Sequence, residues 1–405
     1  MNIQGLSARF VGLALGLLLA FGAAKPLSAQ VPSSLLPSLL NYAETWARNW
    51  NFGGHAVDSR FTASYGYWDY TETTSEPWLF DRATVGHRLY QLTGDTRWRD
   101  KFLSDFAWYR QRIDAQGIFT PKGGGDTKYS YVTPFLLYER LTGDAQFRPV
   151  AQRIKDAWQR EWPDTFNRGT SFWTEREMAF ALEAAVSWRE LTGEGTARIN
   201  ALLNHWDAAS IDGVPQVTYT QHEGGGPGGT TPQNLTASPW MAALYFQAAR
   251  RVGGSQVNEQ LSRYADWMET RAFYDAALVG SEYAGLVFPR YLTGELIGDA
   301  GYDVGNMDHA LDVAGLLKAA VDAKRALGRS TAATEMRLQQ MLATAQVSFD
   351  SGVRTTTYLP KYRVNPTRKA NWWVRGYYEL SLGGSTSSTA PAAPRNLRIL
   401  PGVVN

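Results

Sequence analysis

The sequence predicts an all-helical protein whose helical hairpins are arranged in a toroid, as an incomplete barrel. Three observations support this prediction: a motif that recurs about every 50 residues, helical apolar patterning on both sides of each copy, and long irregular segments before every second helix. The chain has 405 residues and no cysteine. A large apolar core, rather than disulfide bonds, must therefore stabilise it.

The recurring motif is a Leu-Thr-Gly segment followed by an acidic residue. It occurs at residues 92–95, 141–144 and 191–194. Glycine can adopt the left-handed conformation that ends one helix, and aspartate can cap the next helix. Each copy is therefore predicted to be a tight joint between two antiparallel helices. Segments 252–255 and 327–330 keep the glycine of such a joint without the surrounding motif.

Two sets of helices alternate along the chain. Helices poor in charge precede the joints, and we place them at 77–93, 128–142, 174–192, 236–252, 306–327 and 369–381. Amphipathic helices lie between them, at 35–49, 95–112, 145–161, 196–208, 256–271 and 330–348. This contrast predicts a buried inner ring and an outer ring with one solvated face. Six hairpins make an (α/α)6 toroid, with room for a seventh pair in 272–305.

The long connections all precede inner helices, at 50–76, 113–127, 162–173, 209–235, 272–305 and 349–368. They are rich in Gly, Pro, Thr, Tyr and Trp, and a short strand is expected near 216–220. Because the joints on the other side are tight, the long connections should gather on one rim. Long loops on a rigid scaffold are where binding and catalysis usually occur.

The two ends of the chain lie outside the predicted toroid. Residues 1–29 have the layout of a secretory signal peptide: Arg9, an apolar segment over 10–24, and small residues at Ala24 and Ala29. The alternative is a membrane anchor, but the apolar segment is shorter than the ~20 residues that span a bilayer. We expect a toroid over 30–382, a flexible Ser/Thr/Pro-rich tail over 383–405, and a periplasmic or secreted protein.

Composition argues against several classes of function. The 40 basic and 38 acidic residues are evenly mixed, so no nucleic-acid partner is predicted. The absence of cysteine excludes thiolate zinc sites, iron–sulfur clusters and a cysteine nucleophile. No cofactor is predicted, although a structural calcium in a loop is compatible with the sequence. We expect a monomer with no membrane partner after signal cleavage.

Hairpins of about 50 residues, a secretion signal and a rim rich in aromatic residues together resemble the (α/α)-toroid carbohydrate-active enzymes. This group includes polysaccharide lyases and several glycoside hydrolases. The resemblance covers about residues 35–382 and matches no single family's catalytic motif. It implies a secreted enzyme with a polysaccharide substrate.

The substrate-binding residues are predicted on the long connections and at the starts of the inner helices. Flat aromatic faces stack on the C–H faces of sugar rings, and polar neighbours bind hydroxyl or carboxylate groups. The predicted binding residues are Trp68, Tyr70, Lys128, Tyr129, Trp173, Asn234, Trp240, His309 and Trp372.

The favoured reaction is β-elimination on a uronic-acid polysaccharide. Connections 209–235 and 272–305 are the longest, and they supply the predicted catalytic residues His222, Glu223, Tyr283, Arg290 and Tyr291. An arginine beside a tyrosine neutralises the uronate carboxylate and lowers the pKa of the tyrosine, which then transfers a proton.

Two other functions remain open from the sequence. A glycoside hydrolase needs two carboxyl groups across the scissile bond. Its candidates are Asp69, Asp81, Glu175, Glu177, Glu223 and Asp308. The third possibility is a glycan-binding protein without catalytic activity.

The signal-peptide prediction can be checked directly. Mature protein should begin between Lys25 and Gln30, because the small residues that precede a cleavage site lie there. N-terminal sequencing of protein recovered from the periplasm or medium measures this. An intact Met1 in the membrane fraction would support the anchor instead.

Overall fold

Two rings of α-helices make up the protein. The computed structural model describes residues 31–49, 78–122, 125–162, 174–211, 213–215, 217–218, 235–294, 304–353 and 368–382. In these ranges the inner helices are α2 (Arg82–Thr93), α4 (Thr133–Thr142), α6 (Glu175–Thr192), α8 (Pro239–Val252), α10 (Ala310–Ala326) and α12 (Arg368–Ser381). The outer helices are α1 (Leu35–Asn49), α3 (Thr96–Arg110), α5 (Arg148–Glu161), α7 (Thr196–Ala209), α9 (Ser255–Arg271) and α11 (Ala332–Val353).

The inner ring closes on itself. Each inner helix contacts the next, and the last, α12, packs against the first, α2. Beside this closure the Asn371 side-chain amide donates a hydrogen bond to the Leu79 carbonyl oxygen, at 2.7 Å. The (α/α)6 toroid predicted from the sequence is therefore confirmed. Residues 272–294 form short strands and 3-10 turns rather than helices of a seventh hairpin.

The inner helices are buried on all sides and the outer helices on one face, as the charge pattern predicted. In inner helix α6 every residue from Glu175 to Trp188 is buried. In outer helix α5 the buried residues are Ala151, Ile154, Ala157 and Trp158, which lie on one face. An inner helix is covered on all sides because neighbours flank it within the ring and an outer helix packs behind it.

The repeated joints have the predicted geometry. Gly94, Gly143 and Gly193 end their helices with φ of 70°, 76° and 85°, in the left-handed region that favours glycine. The threonine before each glycine donates its hydroxyl to the carbonyl four residues earlier, at 2.7, 2.8 and 2.9 Å. The threonine and the glycine of the motif thus both help to end the helix.

The acidic residue of the motif has a more varied role than predicted. Asp95 caps α3, because its carboxylate accepts from the backbone amide of Arg97 at 2.9 Å. Asp144 accepts from the backbone amide of Gln146 in the same way. However, α5 begins only at Arg148, so Asp144 stabilises a turn rather than the helix start.

Short strands join the long connections on one rim. The predicted strand near 216–220 is present as β3 (Val217–Thr218), which pairs antiparallel with β4 (Leu235–Ala237). Strand β4 also pairs with β7 (Thr293–Gly294), so connections 209–235 and 272–305 meet in one sheet. Two further pairs are β1 (Ser210–Ile211) with β2 (Val214–Pro215) and β5 (Phe273–Asp275) with β6 (Val287–Pro289). Among the described helices, none is both long enough and apolar enough to cross a membrane.

Two glycines inside inner helices test how closely the helices pack. A Cβ at Gly86 would lie 2.7 Å from the Trp98 carbonyl oxygen on α3, whereas one at Gly315 would meet its nearest atom at 3.5 Å. We expect Gly86→Ala to lower the free energy of unfolding by about 1–3 kcal/mol, as overpacking does. Gly315→Ala should raise it by about 0.5–1 kcal/mol through helix propensity. Urea unfolding of both variants measures the difference, and equal effects would contradict close packing of α2 on α3.

Candidate active site

Six side-chain rings meet at the centre of the toroid. Each comes from one inner helix or from the two residues that precede it. This axial aromatic cluster consists of Phe80, Tyr131, Phe180, Trp240, His309 and Trp372. Phe80 precedes α2 and Trp240 lies in α8, on opposite sides of the inner ring, yet their ring centroids are 5.8 Å apart. Phe80 also meets Trp372 at 4.9 Å. The cluster therefore lies on the toroid axis, at the rim where the inner helices begin.

The backbone is unusual where α2 enters the cluster. Phe80 and Asp81 have φ of 65° and 62°, and they are the non-glycine residues with positive φ in the described ranges. Two consecutive left-handed residues are costly, and such strain is concentrated at functional sites. The Thr84 hydroxyl stabilises this turn by donating to the Asp81 carbonyl oxygen at 3.0 Å.

The Asp81 carboxyl group is fully buried beside the cluster. Neither of its oxygens accepts a well-directed hydrogen bond within the described part of the chain, although the nearby Thr84 hydroxyl lowers its pKa. Burial raises the pKa of Asp81 to about 7; the charge of Glu183 acts in the same direction, while the guanidinium groups of Arg88 and Arg375 oppose it. Asp81 is therefore a carboxylic acid that carries its proton up to near-neutral pH.

The neighbouring carboxylate behaves in the opposite way. Glu183 pairs with Arg375 at 3.1 Å and accepts a hydrogen bond from the Thr133 hydroxyl at 2.9 Å. Burial raises the pKa of Glu183, but the charges of Arg375, Arg251 and Arg88 outweigh it, so the pKa lies below its usual value. Glu183 is thus charged and fixed, whereas Asp81 is neutral and available.

Histidine forms a second polar centre in the cluster. His309 stacks on Trp240 with ring centroids 4.5 Å apart and an interplanar angle of 13°. Its Nδ1 lies 3.9 Å from an Asp312 carboxylate oxygen, and both residues are buried. Burial raises the pKa of Asp312, and the interaction with His309 opposes that rise. The ring of Tyr291 lies 5.5 Å from that of His309.

Several residues predicted from the sequence come together in this cluster. Trp240, His309 and Trp372 were predicted to bind substrate, and Tyr291 was predicted to be catalytic. Ring centroids of Trp240 and Tyr291 are 5.6 Å apart, and those of His309 and Trp372 are 5.1 Å apart. The structure therefore brings the ends of three inner helices and one long connection to the same place.

Other predicted residues lie in different surroundings. Tyr283 packs against Phe288 with ring centroids 5.3 Å apart, in a second, smaller core cluster. The Arg290 guanidinium lies 5.4 Å from the ring centroid of Tyr274 in that cluster. Of the two candidate tyrosines, Tyr291 is thus the one packed against the axial aromatic cluster.

The lysine and tyrosine that precede α4 also have structural partners. The ammonium of Lys128 lies 3.4 Å from an Asp126 carboxylate oxygen. Tyr129 is buried in the main core, and its carbonyl accepts a hydrogen bond from the Tyr109 hydroxyl at 2.8 Å. Six further predicted residues fall outside the described ranges: Trp68, Tyr70, Trp173, His222, Glu223 and Asn234.

Three of the hydrolase carboxylates hold the scaffold together. Glu175 accepts a hydrogen bond at 2.8 Å from the backbone amide of Ser238, which precedes α8. Glu177 completes a capping box with Thr174 at the start of α6. The Asp308 carboxylate accepts from the Ser348 hydroxyl at 3.2 Å. Asp69 and Glu223 lie outside the described ranges, and Asp81 is the remaining candidate.

The sequence analysis missed some members of the site. Phe80 and Phe180 look like ordinary core residues, and only their position near inner-helix starts could have marked them. Asp312 was missed because it reads as a polar residue within a helix. Within the described ranges, no group of three or more His, Cys, Asp or Glu residues is arranged to hold a metal ion.

Comparison with known structures supports the fold. The chain is similar to the crystal structure of unsaturated glucuronyl hydrolase from Bacillus sp. GL1, described as responsible for the degradation of glycosaminoglycan. The TM-score is 0.52 and the identity 14%, over 86% of this chain and 97% of that chain. An aspartate-to-asparagine variant designated UGL, with the saccharide dGlcA-Glc-Rha-Glc, gives a TM-score of 0.51 and 15% identity over 86% and 96% of the two chains. The helical toroid is thus shared at low sequence identity.

Comparisons based on sequence alone give no such match. No protein-family model matches the chain. A search of the curated proteins likewise finds no match.

The state of the Asp81 carboxyl predicts how stability depends on pH. The unfolded chain ionises Asp81 near pH 4, whereas the folded protein keeps the proton up to about pH 7. Folding is therefore penalised increasingly as the pH rises between these values. The unfolding free energy of the wild type, relative to Asp81→Asn, should fall by about 4 kcal/mol across this window. Urea unfolding of both proteins from pH 4 to about 8 measures it, and a constant difference would show that Asp81 is not buried as an acid.

Proposed function

We propose that the protein is an exported glycoside hydrolase acting on uronic-acid-containing saccharides, with Asp81 as its proton donor. The observation that carries this proposal is the buried Asp81 carboxyl, which accepts no well-directed hydrogen bond within the described ranges and has a pKa raised to about 7. It lies beside a cluster of aromatic rings, on the rim that carries the long connections.

The chemistry of Asp81 fits general acid catalysis. A carboxylic acid that is protonated near neutral pH can donate its proton to a leaving oxygen or an unsaturated carbon. General acids work best when their pKa is close to the operating pH. The left-handed backbone at Phe80 and Asp81 fixes the direction of the carboxyl group before the substrate binds.

The surroundings of Asp81 favour a flat and anionic substrate. A sugar ring that enters the cluster would pack against Trp240 and Trp372, whose centroids are 5.8 Å apart and which are both buried by their neighbours. The long-range field of the Arg88 and Arg375 guanidinium groups reaches Asp81, so it also favours an anionic substrate there. Since the similar structures are of an unsaturated glucuronyl hydrolase, we extend the proposal to saccharides that end in an unsaturated uronyl residue.

Hydrolysis needs a second group that activates water. We assign this role to His309, whose Nδ1 is 3.9 Å from Asp312 and whose ring is held by stacking on Trp240. In this arrangement Asp312 orients the imidazole, and His309 removes the proton from the attacking water. Asp69 and Glu223 remain the alternative sources of a second carboxylate.

A polysaccharide lyase is the second candidate function. The observation in its favour is the position of Tyr291, whose ring centroid is 5.5 Å from that of His309 in the same cluster. A tyrosine and a histidine can together remove and return the protons of a β-elimination. No carboxylic acid is required for that reaction, so the role of Asp81 separates the two functions.

One assay distinguishes the two reactions. Elimination creates a carbon–carbon double bond conjugated with the uronate carboxylate, whereas hydrolysis of an unsaturated uronyl end destroys this chromophore. We expect ultraviolet absorbance to fall when the protein is incubated with unsaturated glycosaminoglycan disaccharides. Asp81→Asn should reduce the rate by about 10²–10⁴, the usual contribution of a general acid. His309→Gln should reduce it as well.

The matched control is Glu177→Gln, which also changes a buried carboxylate to an amide. Glu177 serves the capping box of α6, so this variant should lose stability and keep its turnover rate. Rising absorbance with intact uronic-acid polymers, together with full activity of Asp81→Asn, would replace the hydrolase with the lyase. No change in absorbance with either substrate class, together with no new reducing ends from intact polymers, would contradict both functions.

A further inference from the structure

A cavity lies along the toroid axis, on the side of the tight joints. Its volume is about 300 Å³, and side chains of α2, α4, α6, α8 and α12 line it. Most of these residues come from the middle or the last turns of their helices, as Arg88, Arg251 and Glu379 do. Asp81 and the axial aromatic cluster are not among the lining residues. The cavity therefore shares Glu183, Arg88 and Arg375 with the charged surroundings of Asp81, but it does not include Asp81 or the aromatic rings of the candidate active site.

Positive charge predominates in this cavity. Four arginines and two glutamates line it. The pKa of the lining histidine, His87, is lowered to about 4, chiefly by burial, so this side chain is neutral at physiological pH. The glutamates neutralise only part of the arginine charge, which leaves the cavity cationic.

Three of the four arginines have acidic partners. Arg375 pairs with Glu183 at 3.1 Å, and Arg250 approaches Glu379 at 3.6 Å. Arg251 pairs at 2.9 Å with Glu190, which lies outside the cavity lining. These pairs account for both glutamates of the cavity, so a fourth arginine must find its counter-charge elsewhere.

Arg88 is that fourth arginine. Arg88 is only 7% exposed, and one of its terminal nitrogens is buried without a hydrogen-bond partner within the described ranges. A guanidinium group stays protonated in proteins, so Arg88 cannot relieve its burial by losing a proton. Burial and the charge of Arg375 lower the pKa of Arg88, and the attraction of Asp81, Glu183 and Glu379 does not outweigh them. A buried charge that is only partly compensated is unfavourable. The fold therefore contains a cation that needs an anion.

Two more hydrogen-bond donors are left unused in the same cavity. The Gln247 side-chain amide nitrogen and one terminal nitrogen of Arg375 are buried without a partner in the described ranges, as is one terminal nitrogen of Arg88. Buried donors in folded proteins are normally satisfied. Three unsatisfied donors around one cationic space match the several acceptor oxygens of an oxyanion.

Compensation of helix dipoles does not explain this arrangement. Arg250 and Arg251 lie in the last turn of α8, where basic residues are ordinarily favourable. Arg88 and Arg375, by contrast, lie near the middle of α2 and α12, where the helix dipole gives no such benefit. The central position of these two residues points to a ligand.

We propose that this cavity is a binding site for a compact oxyanion, held by Arg88, Arg375 and Gln247. A phosphate, a sulfate or the carboxylate of a sugar acid presents the required acceptor oxygens. The volume of about 300 Å³ lies at the small end of the range for ligand pockets and limits the ligand to about the size of a monosaccharide. This site does not depend on the proposed catalytic activity.

Phosphate titration of the full-length protein tests the site. Isothermal titration calorimetry and thermal unfolding are carried out at constant ionic strength with chloride as the balancing ion, so general screening is unchanged. We expect saturable binding and a rise in Tm with phosphate concentration. Parallel titrations with sulfate and glucuronate establish which oxyanion binds most tightly.

Arg88→Met provides the decisive variant, because it keeps much of the side-chain volume and removes the charge. It should abolish phosphate binding and raise the Tm of the anion-free protein above that of the wild type. Arg160→Met, on the exposed face of α5, is the matched control and should respond to phosphate like the wild type. If Arg88→Met does not fold, Arg250→Gln at the cavity edge should weaken phosphate binding about tenfold.

Three outcomes would contradict the proposed oxyanion site. Binding of none of the three oxyanions would overturn the proposal. Binding that survives both Arg88→Met and Arg250→Gln would place the anion elsewhere. A lower Tm for anion-free Arg88→Met, with unchanged phosphate binding, would mean that Arg88 only supports the fold.

Discussion

The packing of the last inner helix against the first is the constraint on which the other features depend. Helices α2 and α3 are neighbours in the chain and can form a hairpin locally, but α12 reaches α2 only after the whole ring has assembled. The bond from Asn371 to the Leu79 carbonyl joins residues 292 positions apart. This closure covers the inner helices on all sides and creates an axis around which side chains of six helices can meet.

Closure also creates the electrostatic character of the axis. Charged groups there lose their contact with water and must be paired, neutralised or bound to a ligand. Glu183 and Arg375 meet this requirement by pairing. Asp81 meets it by retaining a proton, because burial raises its pKa to about 7. Arg88 forms no ion pair in the described structure and cannot lose its proton. Asp81 and Arg88 therefore mark the two sites proposed along the axis.

Hydrogen bonding separates the scaffold carboxylates from the candidate catalytic one. Glu175 and Glu177 are as deeply buried as Asp81, yet each accepts hydrogen bonds that connect or cap helices. Their oxygens are committed to holding the helix starts in place. Asp81 follows a strained turn and keeps both oxygens uncommitted in the described ranges. Glu175 and Glu177 therefore help to build a rigid rim, and this rim holds Asp81 in position.

The sequence by itself determined the helices, the tight joints and the rim that carries the candidate site. These features depend on local effects: the 3.6-residue apolar period, and glycine ending each helix as Gly94 and Gly143 do. The same reasoning placed Trp240, His309 and Trp372 at inner-helix starts, and the ring brings these three together.

Only the tertiary structure decided which groups meet at the axis and what state they are in. The contact of Phe80 with Trp240, the uncommitted carboxyl of Asp81 and the unpaired guanidinium of Arg88 follow no sequence pattern. Each depends on distances across the ring that are fixed only when the last helix packs against the first. The pKa of Asp81 is likewise set by burial among residues distant in the chain, so no local pattern encodes it.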